Sequence, residues 1–157
     1  MRLVIGADFA GYPLKEVIKE HLIKSGYEVV DLGATEKDTD LPYYKVATAV
    51  AKKVQSKEVD KALLFCGTGA GMCIVANKFK GVYAVACEGI FTARQCGIIN
   101  NANILTLGSR VVGSMNAIEM VENWLSVKFL EGKTPENQKF LTNALEEVEK
   151  IETGNFK

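Results

Sequence analysis

Short apolar runs alternate along the chain with longer segments whose apolar residues recur every three or four positions. Met1-Arg-Leu-Val-Ile-Gly6 reads as a buried strand, and Pro13 to Lys24 follows at helical spacing, with Pro13 suited to the first turn and Ser25-Gly26 supplying the stop. Tyr27 to Leu32 reads as a second strand, which closes a βαβ unit. Asp31 to Pro42 is polar loop, and Tyr43 to Val54 has the Ala, Val and Lys composition of a helix lying on a sheet. The alternation then repeats: a strand over Ala62 to Phe65, a glycine-rich loop with a helix through Asn77, a strand over Val82 to Ala86, a helix over Phe91 to Ile99, a strand over Ile104 to Leu107, and a helix over Asn116 to Val127.

Five strands alternating with helices predict an α/β fold: a single three-layer αβα domain, residues 1–130, with a five-stranded parallel sheet of the Rossmann or flavodoxin-like kind. Ligands of such sheets sit at the C-terminal ends of the strands, near a reversal of strand order. The loops after strands one, three and four are therefore the first suspects. Beyond Lys128 the chain leaves the sheet through a turn, and Glu136 to Ile151 carries a charged helical pattern. This tail, residues 131–157, is expected to dock on a partner subunit; a solvated surface helix is the plain alternative.

Composition narrows the function more than the fold. The 157 residues are 48% hydrophobic and 24% charged, enough to fill one core and wet its surface. Nineteen basic residues balance nineteen acidic ones, so no overall field draws in nucleic acid or an anionic membrane. Asp8 interrupts the first apolar run before a signal-peptide core could form, and no stretch approaches a membrane span. Four cysteines without paired CxxC spacing fit free thiols in a reducing cytoplasm, and a single histidine leaves little for a zinc site. A metal is not expected.

The chemistry concentrates at Cys66-Gly67-Thr68-Gly69-Ala70-Gly71-Met72. Three glycines in five residues between a strand and a helix expose backbone N–H groups and add the positive end of the helix, an arrangement that holds an anion. The loop lacks the Lys-Ser/Thr ending of a Walker loop and the two-residue gap of the dinucleotide fingerprint, so a nucleotide reading rests only on Glu88, some twenty residues on. Cys66 stands at the strand's end, where the same amides favour a thiolate able to accept a proton. An inert buried cysteine is the bland alternative for Cys66, and the favoured reading of Cys73, Cys87 and Cys96.

Taken together, Gly6-Ala-Asp-Phe-Ala-Gly11, Cys66 to Met72 with Ala76-Asn-Lys78, Asn100-Asn-Ala-Asn103 and Gly108-Ser-Arg-Val-Val-Gly113 resemble ribose-5-phosphate isomerase type B and the related galactose-6-phosphate isomerase subunits, from residue 1 to about 130. The resemblance implies aldose–ketose interconversion of a phosphorylated sugar through a cis-enediolate, without metal or cofactor. It assigns proton transfer between C1 and C2 to Cys66, help at the oxygens to Thr68, and stabilisation of the enediolate to the amides of Gly67, Gly69, Ala70 and Gly71. It further assigns sugar hydroxyls to Asp8 and Asn100, and the phosphate to Arg110 and to Lys133 from across a dimer interface. Without a substrate, Asp8 would only cap the first helix region, Asn100 would end its helix, and Arg110 would be a solvated charge.

Two positions depart from the family pattern. Members that act on ring-forming sugars carry a histidine after the first-loop Asp and another before the Asn matching Asn100; here Phe9 and Ile99 occupy those places, and neither transfers a proton. A tetrose 4-phosphate, whose fourth oxygen is esterified and which cannot close a furanose, would need no such group. The other explanation is a heteromer of the galactose-6-phosphate isomerase kind, whose second subunit supplies the histidine. Lys133 and Asn137 stand where an arginine pair is usual, and lysine makes no bidentate phosphate contact. The expected assembly is a homodimer or homotetramer. A non-catalytic sugar-phosphate or nucleotide sensor is the rival from another class, and it would need neither Cys66 nor Thr68.

Overall fold

Alternation along each strand decides which layer its side chains enter. The computed structural model describes residues 1–156. In β1 (Arg2–Ala7) Leu3, Ile5 and Ala7 face one apolar layer and Val4 the other; β3 (Ala62–Cys66) sends Leu63 and Phe65 to the first, and Ala62, Leu64 and Cys66 to the second. The remaining strands are β2 (Glu28–Asp31), β4 (Ala84–Ala86) and β5 (Ile104–Gly108), and all pairings are parallel in the order β2-β1-β3-β5-β4. Helices α1 (Tyr12–Lys24), α4 (Ile90–Ile99) and α5 (Ser114–Leu125) cover the first layer, and α2 (Tyr43–Gln55) and α3 (Ala70–Ala76) the second. Crossovers running toward β4 place their helices on one face and those running back place theirs on the other, as a uniform hand requires.

The predicted three-layer αβα domain is present. Its strand order exchanges the last two strands of the flavodoxin-like 2-1-3-4-5 arrangement. That exchange moves the expected site: β5, not β4, lies beside β3, so the loop after strand five replaces the loop after strand four.

Local chemistry sets the boundaries. Pro13 lies in the first turn of α1, which ends as Gly26 takes φ 86° and the N–H groups of Gly26 and Tyr27 return to the carbonyls of Ile23 and Leu22. Strand β4 is two residues shorter than expected because the N–H of Tyr83 goes to Asn103 Oδ1 (2.8 Å) instead of a strand neighbour. Asn77 clamps the start of β4 from the end of α3, exchanging two 2.8 Å bonds with Ala84. Helix α6 (Pro135–Asn155), capped by the Thr134 side chain, runs past the expected end at Ile151 and has no buried residue. It lies along the β4 edge, where Glu152 accepts the Gly81 N–H at 2.8 Å.

Lys15 is the exception to polar-outside patterning. Its side chain is fully buried; its ammonium donates to Asp31 Oδ2 (2.5 Å) and the Ala34 carbonyl (2.7 Å) and lies 5.2 Å above the Tyr12 ring. Burial alone would raise the Asp31 carboxyl, but hydrogen bonds from Lys15, Lys19 and the Gly33 N–H outweigh it and hold it below its ordinary range. The network pins the end of β2 and the loop after it.

Candidate active site

Strand β3 delivers Cys66, almost fully buried, to the C-terminal edge of the sheet between β1 and β5. The chain then turns through Gly69 at φ 80°, a left-handed conformation that glycine adopts without strain, and the Gly69 N–H donates to Cys66 Sγ at 3.0 Å. Thr68 Oγ1 accepts the Ala70 N–H at 3.4 Å. The loop rests on bare backbone: a Cβ at Gly108 would stand 2.6 Å from the Thr68 carbonyl carbon, and one at Gly11 would stand 2.2 Å from that of Phe65. Below it, Thr106 Oγ1 donates to the Gly69 carbonyl at 2.9 Å.

The loops after β1 and β5 close round this turn. Asp8 accepts the Gly11 N–H on one carboxylate oxygen (2.8 Å), so the capping role is present and the second oxygen is not needed for it. The hydroxyl of Ser109 ties the β5 loop to the Ala10 carbonyl, and the N–H groups of Ser109 and Arg110 bond the carbonyls of Cys66 (2.9 Å) and Gly67 (3.0 Å). The Arg110 side chain lies over Gly67, whose Cβ would meet its Nε at 3.7 Å. Phe9 is 66% exposed beside these groups.

Sequence reasoning missed two residues here. The ring of Tyr43 lies against Gly71, where a Cβ would meet Cε2 at 3.0 Å; its only signal is the aromatic pair opening α2. Thr106 carried no signal, since threonine is ordinary in a strand.

Asn100 and Lys133 are elsewhere. Asn100 caps the C-terminus of α4, and the segment that follows lies at the N-terminal ends of the strands, where the Ala62 N–H bonds the Asn103 carbonyl. Four residue steps of β3, about 13 Å, separate that edge from Cys66. Lys133 lies at the same far edge, in a turn held by the Leu130 N–H on the Ile98 carbonyl (2.9 Å). Ile99 lines a cavity of about 290 Å³ with Asn100, Ala144, Leu145 and Val148. One chain therefore assembles Asp8, the Cys66 loop and Arg110, and carries Asn100 and Lys133 on the opposite side of its sheet.

The other candidates fall outside. Cys87 and Cys96 are buried in the core, and a hydrogen bond between them, with burial, pushes the Cys87 thiol up. Burial likewise raises the Cys73 thiol, which donates to the Ala84 carbonyl at 3.3 Å. His21 joins α1 to α5 through Glu122 Oε1 at 2.8 Å. Among the described residues no three His, Cys, Asp or Glu side chains converge as a metal site would require, and no helix is long and apolar enough to cross a membrane.

A cysteine held by a glycine amide, with an aspartate and an arginine on adjoining loops, is part of the constellation the sequence resemblance implied. Residues 3–141 match the Ribose/Galactose Isomerase family. The chain belongs to that family. It is 41% identical over all 157 residues to a 4-deoxy-4-sulfo-D-erythrose isomerase of Clostridium sp., covering 99% of that protein. It is 40% identical over 131 residues to a D-erythrulose-4-phosphate isomerase of Mycolicibacterium smegmatis, covering 82% of this chain and 86% of that one. The solved structure of ribose-5-phosphate isomerase B from Clostridium thermocellum superposes with a TM-score of 0.88 at 37% identity, covering 98% of this chain and 99% of that one. The expected assignment as a sugar-phosphate isomerase of the ribose-5-phosphate isomerase B type holds.

Proposed function

We propose that this isomerase interconverts the aldose and ketose forms of a four-carbon sugar bearing an anionic group on C4, with Cys66 as the general base. The carrying observation is Cys66 Sγ, fixed by the Gly69 N–H at 3.0 Å in a glycine-rich loop over which the Arg110 side chain lies. The thiolate takes the C2 proton of the aldose, and the electron pair becomes the C1=C2 bond as negative charge passes to O1. Thr68 relays the hydroxyl proton between O2 and O1, and the thiol returns its proton to C1 as the C2 carbonyl forms. Loop amides aimed at the developing oxyanion supply the electrostatic stabilisation. Asp8 orients hydroxyls with its free oxygen, and Arg110 meets the terminal anion.

Chain length follows from Phe9 and Ile99. Neither side chain can open a ring, and a four-carbon sugar whose C4 holds a phosphate ester, or a sulfonate in place of the hydroxyl, has no oxygen with which to close a furanose. A sulfonate head group is the second reading: a full-length relative is named for a sulfo-tetrose, and a lysine where an arginine pair is usual suits a monoanion.

Asn100 and Lys133 complete the site only if a second copy turns its far edge onto Cys66. Large apolar side chains exposed around the Cys66 edge favour that: Ile74 (62%), Phe91 (78%) and Met115 (82%). The proposed unit is therefore a dimer or a multiple of it, with the tail helix at the contact.

Turnover of erythrulose 4-phosphate, 4-deoxy-4-sulfo-erythrulose, ribose 5-phosphate and tagatose 6-phosphate, followed by NMR beside a Cys66→Ala control, tests the reading. The tetrose substrates should lead in kcat/KM, and C66A should lose on the order of 10³-fold on all. Pentose turnover as fast as tetrose refutes the chain-length assignment, and an active C66A refutes the base.

A further inference from the structure

Among the described residues only two polar side chains belong to the buried set, Lys15 and Thr106. Lys15 is accounted for by its ion pair. Thr106 sits in the middle of β5, between Leu105 and Leu107, in a strand that is wholly buried. Valine has the same shape and would fill that position with no hydroxyl to satisfy, so the hydroxyl calls for a physical reason. It has one acceptor, the Gly69 carbonyl at 2.9 Å. The hydroxyl also lies beside the Cys73 thiol, which burial raises and which donates to the Ala84 carbonyl.

The Gly69 carbonyl belongs to the peptide that joins Gly69 to Ala70. Carbonyl and N–H point in opposite directions across a trans peptide. A carbonyl held down onto β5 therefore turns the Ala70 N–H away from the sheet, where it donates to Thr68 Oγ1 at 3.4 Å. Gly69 lies at φ 80°, and glycine crosses easily between backbone basins, so this peptide is the one in the loop most able to rotate. The first helical bond of α3, from the Cys73 N–H at 3.1 Å, also holds the carbonyl, but α3 has only seven residues, about two turns, and so short a helix resists rotation weakly.

We infer that Thr106 is a positioning residue for the isomerase: by anchoring the Gly69 carbonyl it keeps the Ala70 N–H on Thr68 Oγ1 and the Gly69 N–H on Cys66 Sγ. The inference rests on the reading of Cys66 as the base. It concerns how the loop is held, not which sugar is bound, so the bound substrate and its KM depend little on it.

Thr106→Val removes the donor and keeps the shape; Thr106→Ser keeps the donor. On whichever tetrose substrate is turned over, T106V should lower kcat about tenfold or more with KM within about twofold, and T106S should recover most of the loss. A second readout needs no turnover. Iodoacetamide modification of Cys66 at neutral pH, located by mass spectrometry, should slow several-fold in T106V and return in T106S. Should T106V fail to fold, Thr106→Ala takes its place and is read the same way. A T106V protein with unchanged kcat and alkylation rate, or a T106S protein as impaired as T106V, overturns the inference. If the unaltered protein turns over none of the sugars, the substrate reading fails, and the alkylation series still decides the role of Thr106.

Discussion

The two edges of the sheet are built to different tolerances. At the C-terminal edge the loops after β1, β3 and β5 touch backbone to backbone, without room for a Cβ at Gly11 or Gly108, and the buried Lys15–Asp31 pair braces the neighbouring β2 end. At the N-terminal edge α6 stands off the body, buries no residue, and leaves cavities of about 290 and 770 Å³ beneath it. The difference separates two tasks. Proton transfer needs groups fixed to a fraction of an ångström, and its proposed contributors, Cys66 and Thr68, are held by the rigid edge. Recognition of the far end of a substrate tolerates adjustment, and its proposed contributors, Asn100 and Lys133, lie on the looser one.

Mixing subunits gives the sharpest test of that separation. A C66A chain lacks the base, and a chain carrying Asn100→Ala with Lys133→Ala lacks the opposite half. Each should be nearly inactive alone, while an equal mixture, refolded or coexpressed, should recover about a quarter of the parent activity, because half of the pairs then hold one intact site. A mixture no better than its components would place the whole site in one chain.

Next in size is Gly108→Ala. The added methyl meets the Thr68 backbone at 2.6 Å and has to displace the loop. The expected fall in kcat is about a hundredfold, with a stability loss of about 1–3 kcal/mol in denaturant titration. An activity loss much smaller than the stability loss would show that the rigid edge serves folding more than chemistry.

The most gradual effect concerns pH. Asp31 is held below its ordinary range in the folded state, so it adds stability at every pH above its unfolded value, near 4, and that stability drains as pH falls through the folded value. Thermal midpoints should stay level down to about pH 4 and then drop. Asp31→Asn, which leaves Lys15 without its carboxylate, should lower the plateau and flatten the acid limb. An acid limb as steep as the parent's would remove Asp31 from the account.

Most elements were legible because periodicity is local. Pro13, Ser25-Gly26 and the glycine run after Phe65 mark their boundaries within a few residues. Strand order was not legible, since apolar runs such as Ile104 to Leu107 do not say which strand they will lie beside, and the site moved from the β4 loop to the β5 loop for that reason. Motifs read along the chain also concealed sidedness: Cys66 and Asn100 belong to one family pattern, yet a parallel sheet puts the end of a strand and the end of a helix on opposite edges. Lys15 carries no signal within its helix because its burial depends on Asp31 and Ala34, which come from β2 and the loop after it.

A wall made of backbone has a consequence for substitution. Where Gly11, Gly108 and the Phe65 carbonyl form the floor beside Cys66, no single side-chain replacement can reshape it by small steps, because the first added carbon already collides. Change in the shape of this site is left to positions that project into open space. Phe9 is one such position, and the turn that carries Lys133 is another.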